Sequence, residues 1–552
     1  MLSKLTHRPW HILILMGLTL AMVLPGITSL PVIDRDEARF AQASVQMAET
    51  NDLLHIKFQE EARNKKPAAA YWAQTAMIKT FNRDSENRIW AQRLPSTLAA
   101  LLTILALYWG GSRLVGRQAA LIACALLATS FIFVFEGHIA KTDAMLCAST
   151  TLIFASLARL RLAQGRLEVW VFWAALGLSI MIKGPIGPTL AILTLTALWI
   201  FERDLTWARP LLNIGTILLF FLIWLPWAIA IYIATDGAFF IDSLGKDFGG
   251  KVVSGQENHG APPGAHSLVI WLTLWPASLF LLPTLAFAVQ TIRTKTDEAM
   301  VRSLRFALCW AVPFWILIEL MPTKLPHYGL PIFPALCLMI GVAIVAMRQT
   351  ESFKTMRIAG GTLFILSTGG LLTALIGAQI LHGEGKVAPL IYVMCGLAGL
   401  LAVIASVALW KQRINLSLGA ALLSSIILTL GAYGTLLPNL PDFNTSERVA
   451  AELKRFAPGV DSRSIHSPHY TEPSLVYHVG TGIYVKGEDV DLSNRPLVIL
   501  DTLREETQAL TTQLEQVAQS RGLCLKQSKP ISGFNYSKGK PVELFILKAE
   551  PC

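Results

Sequence analysis

Charge is scarce in this chain. Only 15% of its 552 residues are Asp, Glu, Lys or Arg, while 53% are hydrophobic, and the mean hydropathy is +0.50. A soluble globule of this length needs a more polar surface, so a single soluble core is excluded and a polytopic membrane protein is indicated. A glycine-rich nucleotide loop is also missing, which leaves a nucleotide-activated substrate without a visible seat. No nucleic-acid motif is present either. The net charge of +10 gathers in short loops on one side, where it reports topology and contact with anionic membrane lipid. Cysteine is sparse: of seven, Cys124, Cys147, Cys309, Cys337 and Cys395 lie in apolar runs without metal-ligand spacing. Cys524 and Cys552 stand together in the tail and are able to pair in an oxidising compartment.

What is abundant is long apolar runs. Stretches near the ~20 residues that span a bilayer recur at 11–32, 93–110, 118–135, 143–160, 168–182, 186–201, 211–234, 267–290, 304–321, 328–347, 357–381, 388–410 and 414–437. The expected fold is mostly α: a transmembrane bundle of about thirteen helices over 1–437, then a small extracytoplasmic α/β domain over 438–552. If the spans alternate, Lys4/Arg8, Arg113/Arg117, Arg159/Arg161/Arg166, Arg203/Arg209, Arg293/Lys295/Arg302/Arg305, Arg348/Lys354/Arg357 and Lys411/Arg413 share one side. The positive-inside rule makes that side cytoplasmic and sends the tail to the other face. The first span has no small-residue cleavage pattern and reads as a retained anchor.

On the opposite face two connections, about 34–92 and 235–266, far exceed the ~2 to 8 residues that suffice to join helices. The first opens on Asp34-Arg35-Asp36-Glu37. Within it, 37–49 and 68–81 read as short amphipathic helices lying in the interface, the second carrying Tyr71 and Trp72, with Arg63-Asn64-Lys65-Lys66-Pro67 between them. The second holds Asp242, Lys246, Asp247, Lys251, Glu257 and His259 before Pro262-Pro263-Gly264. Shorter turns on the same face add Glu136 to Asp143, Lys183-Gly184-Pro185 and Thr323-Lys324-Leu325-Pro326-His327-Tyr328. Singly, each has an ordinary role: Lys141 and Lys183 snorkel, His138 caps a turn, Lys324 meets a headgroup. Together they gather carboxylates, lysines and histidines at one bilayer boundary, in Gly- and Pro-broken loops suited to lining a cavity.

Such a site suits a reaction on a lipid phosphate. Lysines act as point charges toward phosphate and steady a departing negative charge, and a carboxylate accepts a proton from a hydroxyl or orients it. A transporter also places charge in a membrane cavity, and Glu319, at the end of a span before Pro322, is the residue that argues for one.

The motifs Asp36-Glu37-Ala38-Arg39-Phe40-Ala41, Lys66-Pro67 with Tyr71-Trp72, Ala140-Lys141-Thr142-Asp143, Lys183-Gly184, His259 before Ala261-Pro262, and Lys324-Leu325-Pro326 resemble those of a known family. It is the integral-membrane (type C) glycosyltransferases, in the bacterial aminoarabinose (lipid A) transferase branch related to protein O-mannosyltransferases. Pro473 to Tyr477 resembles a segment of that family's soluble domain. The resemblance implies a polyprenyl-phosphate sugar donor, inverting transfer, and an acceptor such as lipid A, lipopolysaccharide core, another glycan or a protein hydroxyl. It implies an inner-membrane location with the site facing the periplasm. By it, Asp36, Asp143 and Glu37 are the catalytic candidates, and Lys66, Arg39, Lys183, Lys251, His259, Lys324 and Tyr71 the substrate contacts. Aminoarabinose transferases carry Glu just before Lys-Pro, where it helps hold a divalent metal. This chain has Lys65, which with Lys66 repels a cation, so the metal site is not carried over, a divalent metal stays open, and no cofactor is assigned.

The tail offers helix patterns at 446–456 and 503–521 and strand patterns at 475–479, 497–500 and 542–547. Its His466, His469 and His478 lack tight metal spacing and read as ordinary surface or core residues.

Overall fold

A computed structural model describes residues 10–81, 89–162, 165–253, 260–295, 297–349, 353–383, 389–487 and 489–552. Lys4, Arg8, Glu257 and His259 fall outside the described residues. Among those described, nine helices are long and apolar enough to cross a membrane, ten if Arg117–Ala128 and Phe131–His138, bent by 59°, form one span. Three expected spans fall short of that standard. Trp10–Val23 has 14 residues, which at 1.5 Å per residue rises only about 21 Å. Ile186–Glu202 has 17. Arg166–Lys183 carries Arg166, Glu168 and Lys183 within its 18 residues.

The first apolar run therefore does not continue as a helix to Val32. It stops at Val23, and Pro25 and Gly26, whose φ of 82° suits a residue without Cβ, turn the chain. Non-helical backbone at this depth needs partners. Arg93, fully buried, donates to the carbonyls of Ile27, Leu30 and Pro31. Close packing organises the bundle centre: a Cβ on Gly110 of Ile89–Leu114 would stand 2.5 Å from Ala155 Cα of Asp143–Leu162. Small residues there let two backbones approach.

Glu319 loses its significance for transport. Its carboxylate accepts from the backbone N–H groups of Gly264, His266 and Ser267 and from the Ser267 hydroxyl. It thus satisfies the open N-terminus of Ala265–Thr273.

The two amphipathic helices form, as Asp36–Thr50 and Ala69–Phe81, but they do not float in the interface. They pack on one another, with Phe40 stacked on Tyr71 at 4.8 Å and Ser44 Oγ donating to Gln74 Oε1 at 2.8 Å. The C-terminal region reaches the first of them, where Gln42 Nε2 donates to Thr481 Oγ1, and the adjoining Ile89–Leu114, where Tyr477 Oη donates to Gln92 Oε1, each at 2.8 Å.

That region is built on Lys540–Pro551. Leu497–Asp501 pairs antiparallel along one edge, from Leu497 opposite Lys548 to Asp501 opposite Leu544. Ile531–Asn535 and Leu523–Gln527, strands the sequence did not signal, share the other edge. Ile465–His466 adds a short parallel strand to Leu497–Asp501. Alternation sorts the two faces: Val498, Leu500, Phe545 and Leu547 pack under Glu506–Ser520, while Leu497, Ile499, Leu544 and Ile546 meet Thr445–Phe456 and Pro473–Val479. Residues 475–479, expected as a strand, are helical because Pro473 at the first turn fixes a helical φ and Gly480 ends the segment. Cys524 and Cys552 form a disulfide. His466 and His469 are buried, His466 Nε2 meeting the carbonyls of Lys486 and Gly487.

Candidate active site

The extra-long connections and short turns assigned to one face converge on a single cavity of about 560 Å³. Eight basic residues, Arg35, Arg39, Arg63, Lys65, Lys66, Lys141, Lys183 and Lys251, and three acidic ones, Asp36, Asp143 and Asp247, line it. Its other wall is apolar, with Trp224, Trp227, Phe239, Phe240, Leu317 and Ile318. A charged end continuous with an aromatic and aliphatic trough fits an amphiphile with an anionic head.

Two of the aspartates are engaged by lysines. Asp247 holds Lys66 through Oδ2 and Lys251 through Oδ1, the latter at 2.8 Å. Burial, with Lys251 and Lys183 nearby, brings the Lys66 ammonium down to about 8 despite Asp247. Burial also works against the Asp247 carboxylate, but Lys66 and Lys251 outweigh it and hold the group below its ordinary range. Asp143, first residue of its helix, bonds Lys183 through Oδ1 and lies 3.4 Å from Lys141 through Oδ2. Lys141 also bonds Glu136 at 3.0 Å, and His327 stands 3.7 Å from both Glu136 and Asp143. Burial opposes charge on Lys141, yet Glu136 and Asp143 keep its ammonium above the ordinary lysine range.

Asp36 differs. It opens into the cavity at the first turn of Asp36–Thr50, and among the described residues its carboxylate accepts no hydrogen bond. Protein encloses it on the remaining sides, and burial favours the protonated form. Lys141, Arg63 and His327 together outweigh that and keep it ionised below the usual carboxylate range. Among the described residues the cavity thus presents one carboxylate without a hydrogen bond beside ammonium groups already held in place.

The sequence-read residues separate into two groups. Asp36, Asp143, Arg39, Lys66, Lys183 and Lys251 line the cavity. Glu37, Tyr71 and Lys324 do not. Glu37 points the opposite way from Asp36 and is 1% exposed, its oxygens taken by Arg93 Nε at 2.8 Å, Arg93 Nη2 at 2.9 Å and the N–H groups of Ala140 and Ile33. Tyr71, fully buried, stands behind the wall and accepts from Arg63 Nε at 3.2 Å, with the Arg63 guanidinium 5.2 Å from the Phe40 ring. Lys324 donates to the carbonyls of Ile318, Glu319 and Met321, closing the end of Glu298–Leu320. Those carbonyls carry the negative end of the helix dipole, which is what a lysine there satisfies.

Sequence reasoning passed over Arg63, Lys65, Lys141, Asp247, His327 and Tyr328 as site residues, all of which line the cavity, and Glu136 behind it. Lys141 stands two residues before Asp143 and His327 one before Tyr328, so the motifs contained them. Glu136 stood in the same turn as Lys141 and Asp143 but was given no role of its own. Among the described residues no group of three or more His, Cys, Asp or Glu is arranged to hold a metal ion. Lys65 and Lys66 stand side by side on the wall, where their charges oppose a cation.

Comparison with known proteins points one way. The profile of the dolichyl-phosphate-mannose-protein mannosyltransferases matches residues 30–239. An undecaprenyl phosphate-alpha-4-amino-4-deoxy-L-arabinose arabinosyl transferase of Pectobacterium atrosepticum is 25% identical over 370 residues, 65% of this chain and 62% of that protein. One of Pseudomonas savastanoi pv. phaseolicola is 27% identical over 379 residues, 67% of each. The chain thus spans only about three fifths of the Pectobacterium relative's length, 62%. The crystal structure of ArnT from Cupriavidus metallidurans bound to undecaprenyl phosphate has the same fold, with a TM-score of 0.71 at 15% identity over 97% of this chain and 98% of that one. An Archaeoglobus fulgidus oligosaccharyltransferase tethered with an acceptor peptide follows at a TM-score of 0.55 and 9% identity, over 99% of this chain and 74% of that one. The chain is a multi-pass membrane protein whose residues 30–239 match the protein mannosyltransferase family and whose fold is that of the aminoarabinose transferase structure.

Proposed function

We propose that this protein transfers a sugar from a polyprenyl-phosphate carrier to an acceptor at the periplasmic face of the bacterial inner membrane, with lipid A or the lipopolysaccharide core as the acceptor. The observation that carries the reading is Asp36, an ionised carboxylate without a hydrogen-bond partner among the described residues, facing a cavity whose lysines are fixed by Asp143 and Asp247. The aromatic and aliphatic wall seats the first isoprene units. Lys66, Lys183 and Lys251 meet the phosphate. The bond between the anomeric carbon and the phosphate oxygen breaks, and that oxygen keeps the electron pair, its charge steadied by the lysines. The acceptor hydroxyl attacks from the opposite side, giving a new carbon–oxygen bond and inversion for a pentosyl or hexosyl unit. Its proton passes to Asp36, and Asp143 holds Lys183 and Lys141 in place. No step is routed through a metal. The relatives named for undecaprenyl phosphate and the phosphate-bound fold neighbour support the donor class.

A second reading keeps the donor and site and substitutes a protein hydroxyl as acceptor, favoured by the protein-mannosyltransferase profile. The test uses purified protein in detergent, where no transmembrane gradient exists, with a labelled polyprenyl-phosphate sugar and lipid A. Sugar transfer that is lost in Asp36→Asn and Asp143→Asn supports the assignment. Wild-type rates in both properly inserted variants refute it. Mass spectrometry of lipid A and of proteins from cells with and without the protein separates the two acceptors.

A further inference from the structure

The two residues before Asp36 are gripped from far along the chain. Arg35 has φ 68° and ψ −97°, near the strained γ-turn region that non-glycine residues rarely occupy. A conformation of that kind persists only where its surroundings over-determine it. Here the N–H of Asp34 donates to Tyr536 Oη at 2.6 Å, Asp34 Oδ1 accepts from the N–H of Ser474 at 2.8 Å, and Arg35 Nη2 donates to the Ser537 carbonyl at 2.8 Å. From the bundle side, Glu37 accepts from the N–H of Ile33 and is locked to Arg93. Asp36 thus sits between two clamps, one in the membrane bundle and one in the C-terminal region. None of Ser474, Tyr536 or Ser537 lines the cavity, nor does Asp34.

We infer that the C-terminal region is a positioning element for the catalytic carboxylate: Ser474, Tyr536 and Asp34 hold the strained turn at Arg35 and thereby aim Asp36 into the cavity without touching substrate. The inference rests on the transfer reaction proposed above and adds positioning residues to it. Because reacting groups lose rate steeply when displaced by ~1 Å, a loosened turn is expressed in kcat, while lysine contacts to the donor are undisturbed.

The test is Asp34→Ala, Asp34→Asn and Tyr536→Phe in the full-length protein. The alanine removes the acceptor for Ser474 and the asparagine restores it; the phenylalanine removes the acceptor for the N–H of Asp34. Expected are a kcat lower by on the order of ten-fold in Asp34→Ala and Tyr536→Phe, an unchanged KM for the donor, unchanged binding of undecaprenyl phosphate, and recovery in Asp34→Asn. Wild-type kcat in Asp34→Ala and Tyr536→Phe overturns the inference. So does a parallel fall of kcat, donor affinity and melting temperature that Asp34→Asn fails to reverse. A second measurement is independent of transfer. The five free cysteines are buried, so a nitroxide on Asp36→Cys reports position 36, and its mobility rises when Asp34→Ala is added. An unchanged spectrum overturns the positioning role. If the wild type transfers no sugar at all, the proposed reaction falls and the nitroxide still decides whether the C-terminal region fixes the turn.

Discussion

Replacing Glu37 by alanine separates chemistry from architecture, because Glu37 adjoins Asp36 in sequence and faces away from the cavity. Its two oxygens accept four bonds, from Arg93 Nε and Nη2 and from the N–H groups of Ala140 and Ile33, at 2.8 to 2.9 Å. Arg93 is 0% exposed. Removing one partner of a fully buried pair leaves an uncompensated charge and costs about 3–5 kcal/mol. The two stranded N–H groups are satisfied in part by relaxation, and their costs of ~1–3 kcal/mol do not simply add. In a chain of 552 residues, with an unfolding entropy of ~2.1 cal/mol/K per residue, that range lowers the melting temperature by roughly 3–4 °C. Tryptophan fluorescence during heating follows unfolding through fifteen tryptophans, and transfer activity is normalised to folded protein below the transition. The expected result is an unstable variant, with Glu37→Gln intermediate because an amide keeps the acceptor geometry without the charge. Glu37→Leu combined with Arg93→Met recovers part of the loss, since an apolar pair leaves no buried charge. A Glu37→Ala protein with wild-type melting behaviour and no transfer would refute this reasoning and return Glu37 to the chemistry.

Lys66 titrates near 8, so with the ammonium as the phosphate-binding form, donor affinity in the free protein declines as pH rises through about 8. Lys66→Arg, charged throughout, flattens that profile in a pH series of undecaprenyl phosphate binding. Asp34 sits at about 6, pushed up chiefly by burial and further by Glu472, against the bonds from Ser474. A raised carboxyl stabilises the fold while protonated. Its contribution is complete below about 4 and is lost as pH rises through about 6, so the two ends of that window differ by on the order of 3 kcal/mol. Asp34→Asn removes this slope, read as melting temperature between pH 4 and 7. Glu319→Ala uncovers three backbone N–H groups at the start of Ala265–Thr273 and lowers stability by about 1–2 kcal/mol. Passage of substrate across liposomes is unchanged, a result that a transport role for Glu319 contradicts.

Local signals carried much of the site. Asp36, Asp143, Lys66 and Lys183 were legible because their turns gather on one face and carry motifs that resemble a known family. Lys251 came from the density of charge in an over-long connection. The same signals misplaced Glu37, Tyr71 and Lys324, because a side chain's direction depends on what faces it. Glu37 meets Arg93 from 56 positions away, and no local pattern encodes that encounter. His259 falls outside the described residues and keeps only its place in the motif.

The sequence by itself determined the solvent. Apolar runs of bilayer length select a helical bundle, since in hydrocarbon a chain must satisfy its own backbone. Only the tertiary structure decided which lysines line the cavity and which brace a helix end. Lys66 finds Asp247 across 181 residues, while Lys324 turns back on carbonyls three to six residues before it. It alone placed Ser474 and Tyr536 against Asp34, 440 and 502 residues apart. The reason is physical: burial of apolar surface follows local composition, whereas hydrogen bonds and ion pairs are directional and short, and their partners exist only once distant segments have met.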